Sequence, residues 1–290
     1  AVLMAENAEI FDDKIQVLEA VPPGKHVGKI GEDIRQDQVL FEKGRCLRPQ
    51  DIGVLASIGL EKIKVVRKPK VELLITGNEL LKPGEKPSGV QIVDSNSVML
   101  SPLIVRDGGV LKDVYHVPDK RELLSKHLSS SRSDLICMTG GTSVGIDDHG
   151  PVLVDELGEL LVHGIPMRPA APTGFGLIGE KKVFLLPGNP VSCLSAYDYF
   201  VGRALRMMGG RSEEWPYRSK IVKLATKISS EIGRIEYVRL RIENERAFII
   251  AAGGASILST TTQADGFLLT EEDSEGFAEG EQVQVWLYDE

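Results

Sequence analysis

The chain has 290 residues, of which 42% are apolar and 26% charged, and its formal net charge is −8 at pH 7. This length is enough for two or three domains, and the composition is that of an ordinary globular protein. The acidic balance argues against a nucleic-acid partner, because contact with a phosphate backbone needs clustered lysine and arginine. No apolar run approaches the ~20 residues of a membrane helix, so no membrane partner is expected either.

Cysteine and histidine spacing gives no sign of a structural metal site. Cys46, Cys137 and Cys193 are odd in number and far apart, and the five histidines are scattered. Residues 1–9 lack the basic segment of a secretory signal. These features predict reduced thiols and a cytoplasmic protein.

The first part of the chain, residues 1–68, is predicted to be a partial N-terminal region that is rich in β-structure. Proline and glycine turns punctuate short apolar stretches as far as Arg48. Residues 49–59 then predict a short helix with apolar side chains on one face. Residues 62–67 alternate between polar and apolar side chains, as a strand does.

Residues 69–210 alternate between short apolar runs and helical patterns. Such alternation predicts a mostly parallel sheet covered by helices on both faces, which is a three-layer α/β domain. The predicted strands are residues 71–75, 109–117, 134–138 and 183–186, and the predicted helices are residues 96–107, 121–130, 152–160 and 191–208.

Residues 211–290 turn to a pattern of strands linked by glycine and polar turns. This pattern is typical of a small barrel or sandwich, and the residues alone leave both open. The predicted strands are residues 219–228, 237–243, 247–252, 266–270 and 282–287.

Two glycine-containing turns are the most informative motifs. Residues 139–145 (TGGTSVG) and 186–192 (LPGNPVS) each follow an apolar run and lead towards a helical segment. Small residues before a helix leave N–H groups that suit a phosphate or another anion. Parallel strands end at one edge of a sheet, where open α/β folds bind ligands. The alternative is that the glycines only tighten strand-to-helix turns.

Acidic side chains are expected at the same edge. The first strand ends in residues 76–80 (TGNEL), where Glu79 could hold Mg²⁺, exchange a proton, or only favour a helix start. Residues 94–96 (DSN) should lie beside it. One of Asp147 and Asp148, which follow the first glycine turn, is expected to face the same site. Acids and a phosphate repel one another without a cation, so the pattern suggests Mg²⁺.

Arg168 is the candidate cation of the site. It lies in residues 167–172 (MRPAAP), where prolines hold the chain extended, and a fixed guanidinium suits a phosphate or carboxylate. The alternative is an arginine in an exposed loop. The sequence has no nucleophile elbow, no Ser/His/Asp order of a triad and no P-loop, which sets aside the common hydrolase and nucleotide-triphosphatase interpretations.

Taken in order, these motifs resemble the MoeA family, the molybdopterin molybdenumtransferases that include the E domain of gephyrin. Residues 76–80 resemble the family's TGDEL, and residues 94–96 resemble its DSN. Residues 140–145 resemble GGxSVG, and residues 186–192 match LPGNPVS. Residues 31–34 resemble a GEDI turn, and the C-terminal third is similar to the family's last β domain. The resemblance covers nearly the whole chain.

The resemblance implies an elongated, multidomain homodimer with an α/β domain of the molybdopterin-binding type and a small C-terminal β-barrel. It also implies an enzyme of molybdenum cofactor biosynthesis. Such an enzyme inserts molybdate into the dithiolene of adenylylated molybdopterin and releases AMP with the help of Mg²⁺. Other proteins of the same biosynthesis are possible partners.

The resemblance further implies a role for each matching residue. Glu79 and Asp148 would be the acids at the metal or molybdate end, and Asp33 and Asp134 match further acidic positions that are candidates for catalysis. The residues expected to bind the cofactor are Thr76, Gly77, Asn78, Asp94, Ser95, Asn96, Gly140, Gly141, Thr142, Ser143, Gly145, Arg168, Pro187, Gly188, Asn189, Pro190, Ser192 and Ser256.

Three departures from the family pattern bear on activity. Asn78 stands where the family has aspartate, which removes one negative charge. Residues 168–172 (RPAAP) stand where the family has KPGKP, so a second cation is missing at Ala171. Each lost phosphate contact could weaken binding by ~1–3 kcal/mol, or tenfold and more. By the resemblance, Ala1 would correspond to a point midway through the family's second domain, and the sequence would not include the first part of the usual chain.

These departures leave two alternatives to the enzyme. One is a carrier, storage or regulatory module that keeps the pterin site without catalysis. The other is a scaffold comparable to the receptor-binding role of gephyrin, although no segment has the pattern of a peptide groove. Similarity of fold alone does not decide among them.

Overall fold

The computed structural model describes residues 1–142 and 148–288. Ser143 and Gly145 of the first glycine turn, and Asp147 beside it, lie outside the described residues. No helix among the described residues is long and apolar enough to cross a membrane.

The first compact unit, residues 1–47, contains one antiparallel hairpin among its turns. Strand β1 (Ala8–Phe11) pairs with β2 (Lys14–Val17), after a 3-10 turn at Ala5–Asn7. The sequence predicts more short strands here than the structure contains. Turns and bends take up the other stretches, because proline and glycine recur too often for a strand to continue.

The second compact unit begins at Arg48 and contains the remaining elements. Its helical segments are α1 (Pro49–Ser57), α2 (Asn96–Arg106), α3 (Arg121–Ser130), α4 (His149–Leu157), α5 (Pro190–Ala196), a π-helical segment (Tyr197–Val201), α6 (Gly202–Met208) and α7 (Ser259–Thr262). Its strands are β3 (Lys70–Thr76), β4 (Leu80–Leu81), β5 (Ile92–Val93), β6 (Val110–Val117), β7 (Leu135–Thr139), β8 (Glu159–His163), β9 (Met167–Arg168), β10 (Gly174–Ile178), β11 (Lys181–Leu186), β12 (Ser219–Leu224), β13 (Ile228–Ser229), β14 (Ile235–Glu243), β15 (Arg246–Ala251), β16 (Gly266–Leu269), β17 (Gly276–Phe277) and β18 (Gln282–Leu287).

The central sheet has six strands in the order β6-β3-β7-β11-β10-β8. The first four are parallel, which confirms the predicted mostly parallel sheet, whereas β10 is antiparallel to both β11 and β8. The sequence analysis missed β8 and β10. Gly176 in β10 explains part of the omission: a Cβ there would lie 2.5 Å from the Glu159 carbonyl oxygen, so this position has no apolar side chain and the strand is not a continuous apolar run.

Helices cover the two faces of this sheet, as predicted. Leu73 and Ile75 of β3 pack with Leu100 of α2 in one apolar cluster, and that cluster also takes in residues of α5 and α6. Leu74, which points to the opposite face, packs with Leu124 of α3 in a second cluster that includes α4. The three-layer α/β domain is therefore confirmed.

The C-terminal part is a closed barrel rather than a sandwich. Its strands follow the order β15-β12-β18-β16-β14, and β14 pairs with β15 to close the ring. Side chains such as Val222, Leu240 and Val285 alternate into an apolar interior. Strand β9 adds to the start of β14 in parallel, which ties the segment of Arg168 to the barrel.

One local prediction is wrong: residues 62–67 do not form a strand, because no neighbouring strand pairs with them. The predicted helix 191–208 is confirmed as an unbroken helical stretch, made of α5, a π-helical segment and α6 in succession. The domain boundaries 1–68, 69–210 and 211–290 stay predictions.

Candidate functional site

A pocket of about 550 Å³ opens at the carboxyl edge of β3, β7 and β11. This is the edge at which the sequence places its polar motifs, and most of the predicted site residues meet there. The predicted residues that line the pocket are Thr76, Glu79, Asp94, Ser95, Asn96, Gly140, Gly141, Thr142, Asp148, Pro187, Gly188, Asn189, Pro190 and Ser256.

The two glycine turns approach each other closely in this pocket. A Cβ on Gly140 would lie 2.0 Å from the Thr76 carbonyl oxygen, and the φ of Gly140 is +85°. A Cβ on Gly188 would lie 3.7 Å from the Gly140 Cα. Glycine at position 140 is therefore required both by the close approach of β3 and by the left-handed backbone.

The amides of the second glycine turn are less available than the sequence suggests. The N–H groups of Val191 and Ser192 both donate to the Ala255 carbonyl oxygen, at 2.9 and 3.4 Å, and Pro190 has no N–H. The start of α5 is thus capped by a barrel loop instead of being free for an anion. Ser256, which follows Ala255 in this barrel loop, lines the pocket. The structure corrects the expectation for these amides.

The first glycine turn is anchored to the sheet and to α4. The Thr142 hydroxyl donates to the Leu186 carbonyl oxygen at 3.1 Å, and the Gly150 N–H donates to the Gly141 carbonyl oxygen at 3.0 Å. Ser143 and Gly145, which the sequence analysis includes in this turn, lie outside the described residues.

Asp94 is held at the start of α2 by three hydrogen bonds. One carboxylate oxygen accepts the Ser97 N–H at 3.0 Å, and the other accepts the Ser97 hydroxyl and lies 2.8 Å from His116 Nε2. Asp94 is only 3% exposed. Both oxygens of Asp94 already take part in hydrogen bonds within the protein. This carboxylate therefore contributes to the shape and the negative charge of the pocket wall. Sequence reasoning missed His116, which has no motif around it.

Asp119 is a second residue that the sequence analysis missed. Its carboxylate accepts the Thr76 hydroxyl and, at 3.3 Å, the Asn78 N–H. In return, the Asp119 N–H donates to Asn78 Oδ1 at 3.2 Å. This reciprocal pair fixes the turn that carries Glu79. Asn78 and Gly77 support the turn and do not line the pocket. One signal in the sequence could have identified Asp119: it is a polar residue shortly after β6, and β6 ends at the same edge of the sheet as β3.

Glu79 and Asp148 are the two predicted acids of the metal end that line the pocket. Glu79 is exposed, and Asp148 is half-buried at the N-terminal cap position of α4. Among the described residues, no group of three or more His, Cys, Asp or Glu side chains has the geometry of a complete metal site. Mg²⁺ commonly uses one or two carboxylates together with waters and phosphate oxygens, and a pocket lined by two carboxylates fits that partial set.

Asp134 does not line this pocket. Asp134 lies at the amino edge of the sheet, just before β7, where its carboxylate accepts hydrogen bonds from Arg67 and from the Lys70 N–H. The hydrogen bond from Arg67 lowers the pKa of Asp134. Asp33 lies in an exposed turn of the first compact unit.

Replacing Asp134 with asparagine is expected to reduce stability and leave the chemistry unchanged. The Arg67 side chain is largely exposed and its pair with Asp134 is screened by solvent, so only a small decrease in the free energy of unfolding is expected at pH 7. Since the folded pKa lies below the ordinary value of 3.8, this stabilisation is present above pH 3.8 and disappears as the pH falls through the folded value. Urea unfolding of the wild type and the Asp134 variant at pH 7 and pH 3 measures the change in stability. Turnover assays measure the chemistry, and a tenfold loss of turnover in the variant would contradict the expected lack of a catalytic role.

Arg168 lies beside the pocket rather than in its lining. It is exposed on β9, and a Cβ on Gly253 would lie 3.4 Å from Arg168 Nη2. Together with Ser192, Arg168 lines a second cavity that adjoins the first. Arg168, which the sequence predicts to bind a phosphate or carboxylate, thus lies next to the pocket at the carboxyl edge of the sheet.

Comparison with known families agrees with this architecture in each part of the chain. Residues 72–207 match the model of a probable molybdopterin binding domain. Residues 1–59 match the MoeA N-terminal region (domain I and II), and residues 222–288 match the MoeA C-terminal region (domain IV). With the pocket and the barrel, these matches define a multidomain protein of the molybdopterin-binding class.

Individual relatives make the assignment more specific. The chain is 34% identical to a putative molybdopterin biosynthesis protein of Methanocaldococcus jannaschii, over 99% of this chain and 72% of that protein. It is 29% identical to molybdopterin molybdenumtransferase 2 of Mycobacterium tuberculosis, over 99% of this chain and 73% of that protein. A crystal structure of the molybdopterin biosynthesis MoeA protein of Pyrococcus horikoshii is 33% identical, with a TM-score of 0.80 over 98% of this chain and 71% of that chain. The chain belongs to the MoeA family.

Proposed function

We propose that this protein is a molybdopterin molybdenumtransferase of molybdenum cofactor biosynthesis. It inserts molybdate into the dithiolene of adenylylated molybdopterin and releases AMP. The observation that carries the proposal is one pocket at the carboxyl edge of the sheet, in which acidic side chains meet two glycine turns. Comparing turnover of adenylylated molybdopterin and molybdate by the wild-type protein with a reaction lacking protein tests the proposal directly.

Asn96 supports a pterin as the ligand of this pocket. Its Nδ2 donates to the Gly188 carbonyl oxygen at 2.8 Å, which fixes the orientation of the amide. Its Oδ1 is buried and has no hydrogen-bond partner among the described residues, and Asn96 is one of the residues that line the pocket. A buried acceptor without a partner is costly, and the N–H groups at the edge of a pterin ring would satisfy it.

Replacing Asn96 with aspartate is expected to weaken molybdopterin binding by about tenfold or more, since the amide donor to Gly188 is lost and a carboxylate oxygen would repel the Gly188 carbonyl oxygen, which changes the orientation of the side chain. Calorimetric titration with molybdopterin measures the change. Asn78→Asp serves as the control, because the Asn78 Oδ1 acceptor function towards Asp119 survives in aspartate. Equal affinity in the Asn96 variant and the wild type would remove Asn96 from the pterin contacts.

Glu79 and Asp148 are proposed to serve the metal and molybdate end of the site. When bound, Mg²⁺ would neutralise charge on phosphate and molybdate oxygens as a Lewis acid. The chain's own residues shape the wall that would bind and orient the substrate: Gly140 lets the first glycine turn pack against β3, Gly188 lets the second turn pack against Gly140, and Asp94 is fixed by its three hydrogen bonds. Glu79, on a turn braced by Asp119, is positioned to exchange a proton with a molybdate oxygen.

A binding module without catalysis is the second candidate, and two residues favour it. Asn78 stands where the family has an aspartate, so there is no carboxylate next to Glu79 at this position. The Asn78 side chain instead bonds to Asp119 and stabilises the turn. Ala171 provides no cation where the family has lysine. Pterin binding of normal affinity combined with no turnover above the reaction lacking protein would select this candidate.

A homodimer and a cytoplasmic location complete the proposal. On the isolated hairpin of the first unit, Ile10 and Ile15 are 78% and 64% exposed, which is unusual for apolar side chains unless a partner covers them. The free thiols of Cys46, Cys137 and Cys193 fit a reducing compartment. Light scattering of the purified protein measures the oligomeric state, and a monomer at micromolar concentration would exclude the stable dimer. Other proteins of molybdenum cofactor biosynthesis remain proposed partners.

A further inference from the structure

His116 lies beside the wall of the pocket, on a strand that contains none of the sequence motifs. It is the second-last residue of β6 and pairs in register with Ile75 of β3, so its ring lies near the carboxyl edge of the sheet. Its Nε2 is 2.8 Å from an Asp94 oxygen, and its side chain is 18% exposed, whereas that of Asp94 is 1% exposed. An ionised carboxylate only accepts hydrogen bonds, so His116 Nε2 is the donor of this pair.

We propose that His116 is a positioning residue for the ligand of the pocket at the carboxyl edge. By donating to Asp94 it fixes the start of α2, and with it Ser95 and Asn96, which line the pocket. The inference rests on the proposed function, since it adds a residue to the same binding site. His116 itself does not line the pocket, so it acts through Asp94 rather than on the ligand.

Asp94 can fix the start of α2 because its backbone and its side chain are both held. Its N–H donates to the Leu81 carbonyl oxygen at 2.9 Å, which ties it to the segment after β3. One carboxylate oxygen accepts the Ser97 N–H at 3.0 Å, a contact of the kind that caps a helix. The other oxygen accepts the Ser97 hydroxyl and His116 Nε2. A carboxylate oxygen has about two acceptor positions, so this oxygen is fully used.

Loss of the histidine donor would leave that oxygen short of a partner. Asp94 is buried, so water does not readily replace the hydrogen bond from His116. A buried charge that lacks its hydrogen bonds is costly, and the carboxylate would turn towards other donors or towards solvent. Its contact with the Ser97 N–H would then weaken, and the first turn of α2 would lose its cap.

The start of α2 is in turn connected to the second glycine turn. Asn96 Nδ2 donates to the Gly188 carbonyl oxygen at 2.8 Å. The hydrogen bonds therefore run from His116 on β6 to Asp94, along the start of α2, and on to Gly188. Since they join separate segments around the pocket, a change at His116 is expected to lower ligand affinity without any contact between His116 and the ligand.

Calorimetric titration of the full chain with molybdopterin tests the proposal with two substitutions at position 116. His116→Val removes the donor and should weaken binding by about tenfold. His116→Gln keeps an N–H donor at the same distance along the side chain as Nε2, and it should bind within about threefold of the wild type. Circular dichroism checks that each variant is folded, and His116→Met, which also lacks a donor, replaces His116→Val if that variant is not.

The matched control is His127→Val. His127 also lies near a buried acid, with its Nε2 3.8 Å from Glu72, but neither residue lines the pocket. This variant should keep the wild-type affinity for molybdopterin.

A double-mutant cycle tests the route through Asp94. In the Asp94→Asn background the charged acceptor of the histidine donor is gone. His116→Val should therefore weaken binding by less than about threefold in that background, against about tenfold in the wild type.

The outcomes separate this inference from the proposed function. Wild-type affinity in the variant without a donor, or an equal loss in His116→Gln, would overturn the role of His116 as a donor. A further tenfold loss in the Asp94→Asn background would overturn the route through Asp94. A wild-type protein that does not bind molybdopterin would instead overturn the proposed function.

Discussion

Replacing Glu79 with glutamine is expected to lower the rate of molybdate insertion by about 100- to 1,000-fold, as the loss of one charge-stabilising group does in other enzymes. Molybdopterin affinity should change by less than about threefold, because glutamine keeps the size of the side chain. The physical reason is that Glu79 provides charge at the acidic end of the pocket, which it lines together with Asp148. Single-turnover assays with adenylylated molybdopterin and molybdate separate this effect from binding.

The matched control for Glu79 is Glu180→Gln. Glu180 is exposed in the turn between β10 and β11, outside the lining of either cavity. The control should insert molybdate at the wild-type rate. A Glu79→Gln variant that also keeps the wild-type rate would show that this carboxylate has no part in the reaction.

Replacing Gly140 with alanine is expected to lower the free energy of unfolding by about 3–5 kcal/mol. The added Cβ would lie 2.0 Å from the Thr76 carbonyl oxygen, so β3 and β7 would have to separate at the carboxyl edge. The φ of +85° adds strain for any residue with a side chain. Urea unfolding followed by circular dichroism measures the loss.

Gly179→Ala is the control for backbone conformation alone. Gly179 also has a positive φ, of +60°, but nothing lies within 4 Å of an added Cβ. Its loss should be about 1 kcal/mol. If Gly140→Ala costs no more than Gly179→Ala, the close approach of the first glycine turn to β3 does not exist in solution.

Much of the α/β domain could be predicted from the sequence because its strands are buried on both faces. Such strands are continuous apolar runs, and β3, β7 and β11 were located to within two residues. Strand β8 could not be found in this way. Four of its five side chains are exposed, and it directly follows α4, so the helical pattern extended over its first residues.

The position of the site was predictable because parallel strands bring their following turns to one edge. The contacts that complete the site were not. His116 reaches Asp94 only through the register of β6 beside β3, and Asp119 reaches Asn78 after the end of β6. The Ala255 carbonyl oxygen caps α5 only because the barrel docks there. Each of these contacts joins residues from separate elements, and no local pattern encodes it.

The most direct test is a crystal structure of the protein with adenylylated molybdopterin. We expect the pterin against Gly140, Gly188 and Asn96, with its dithiolene towards Glu79. Density for the pterin on another surface, or a carboxyl edge filled by the protein's own side chains in the complex, would contradict the account.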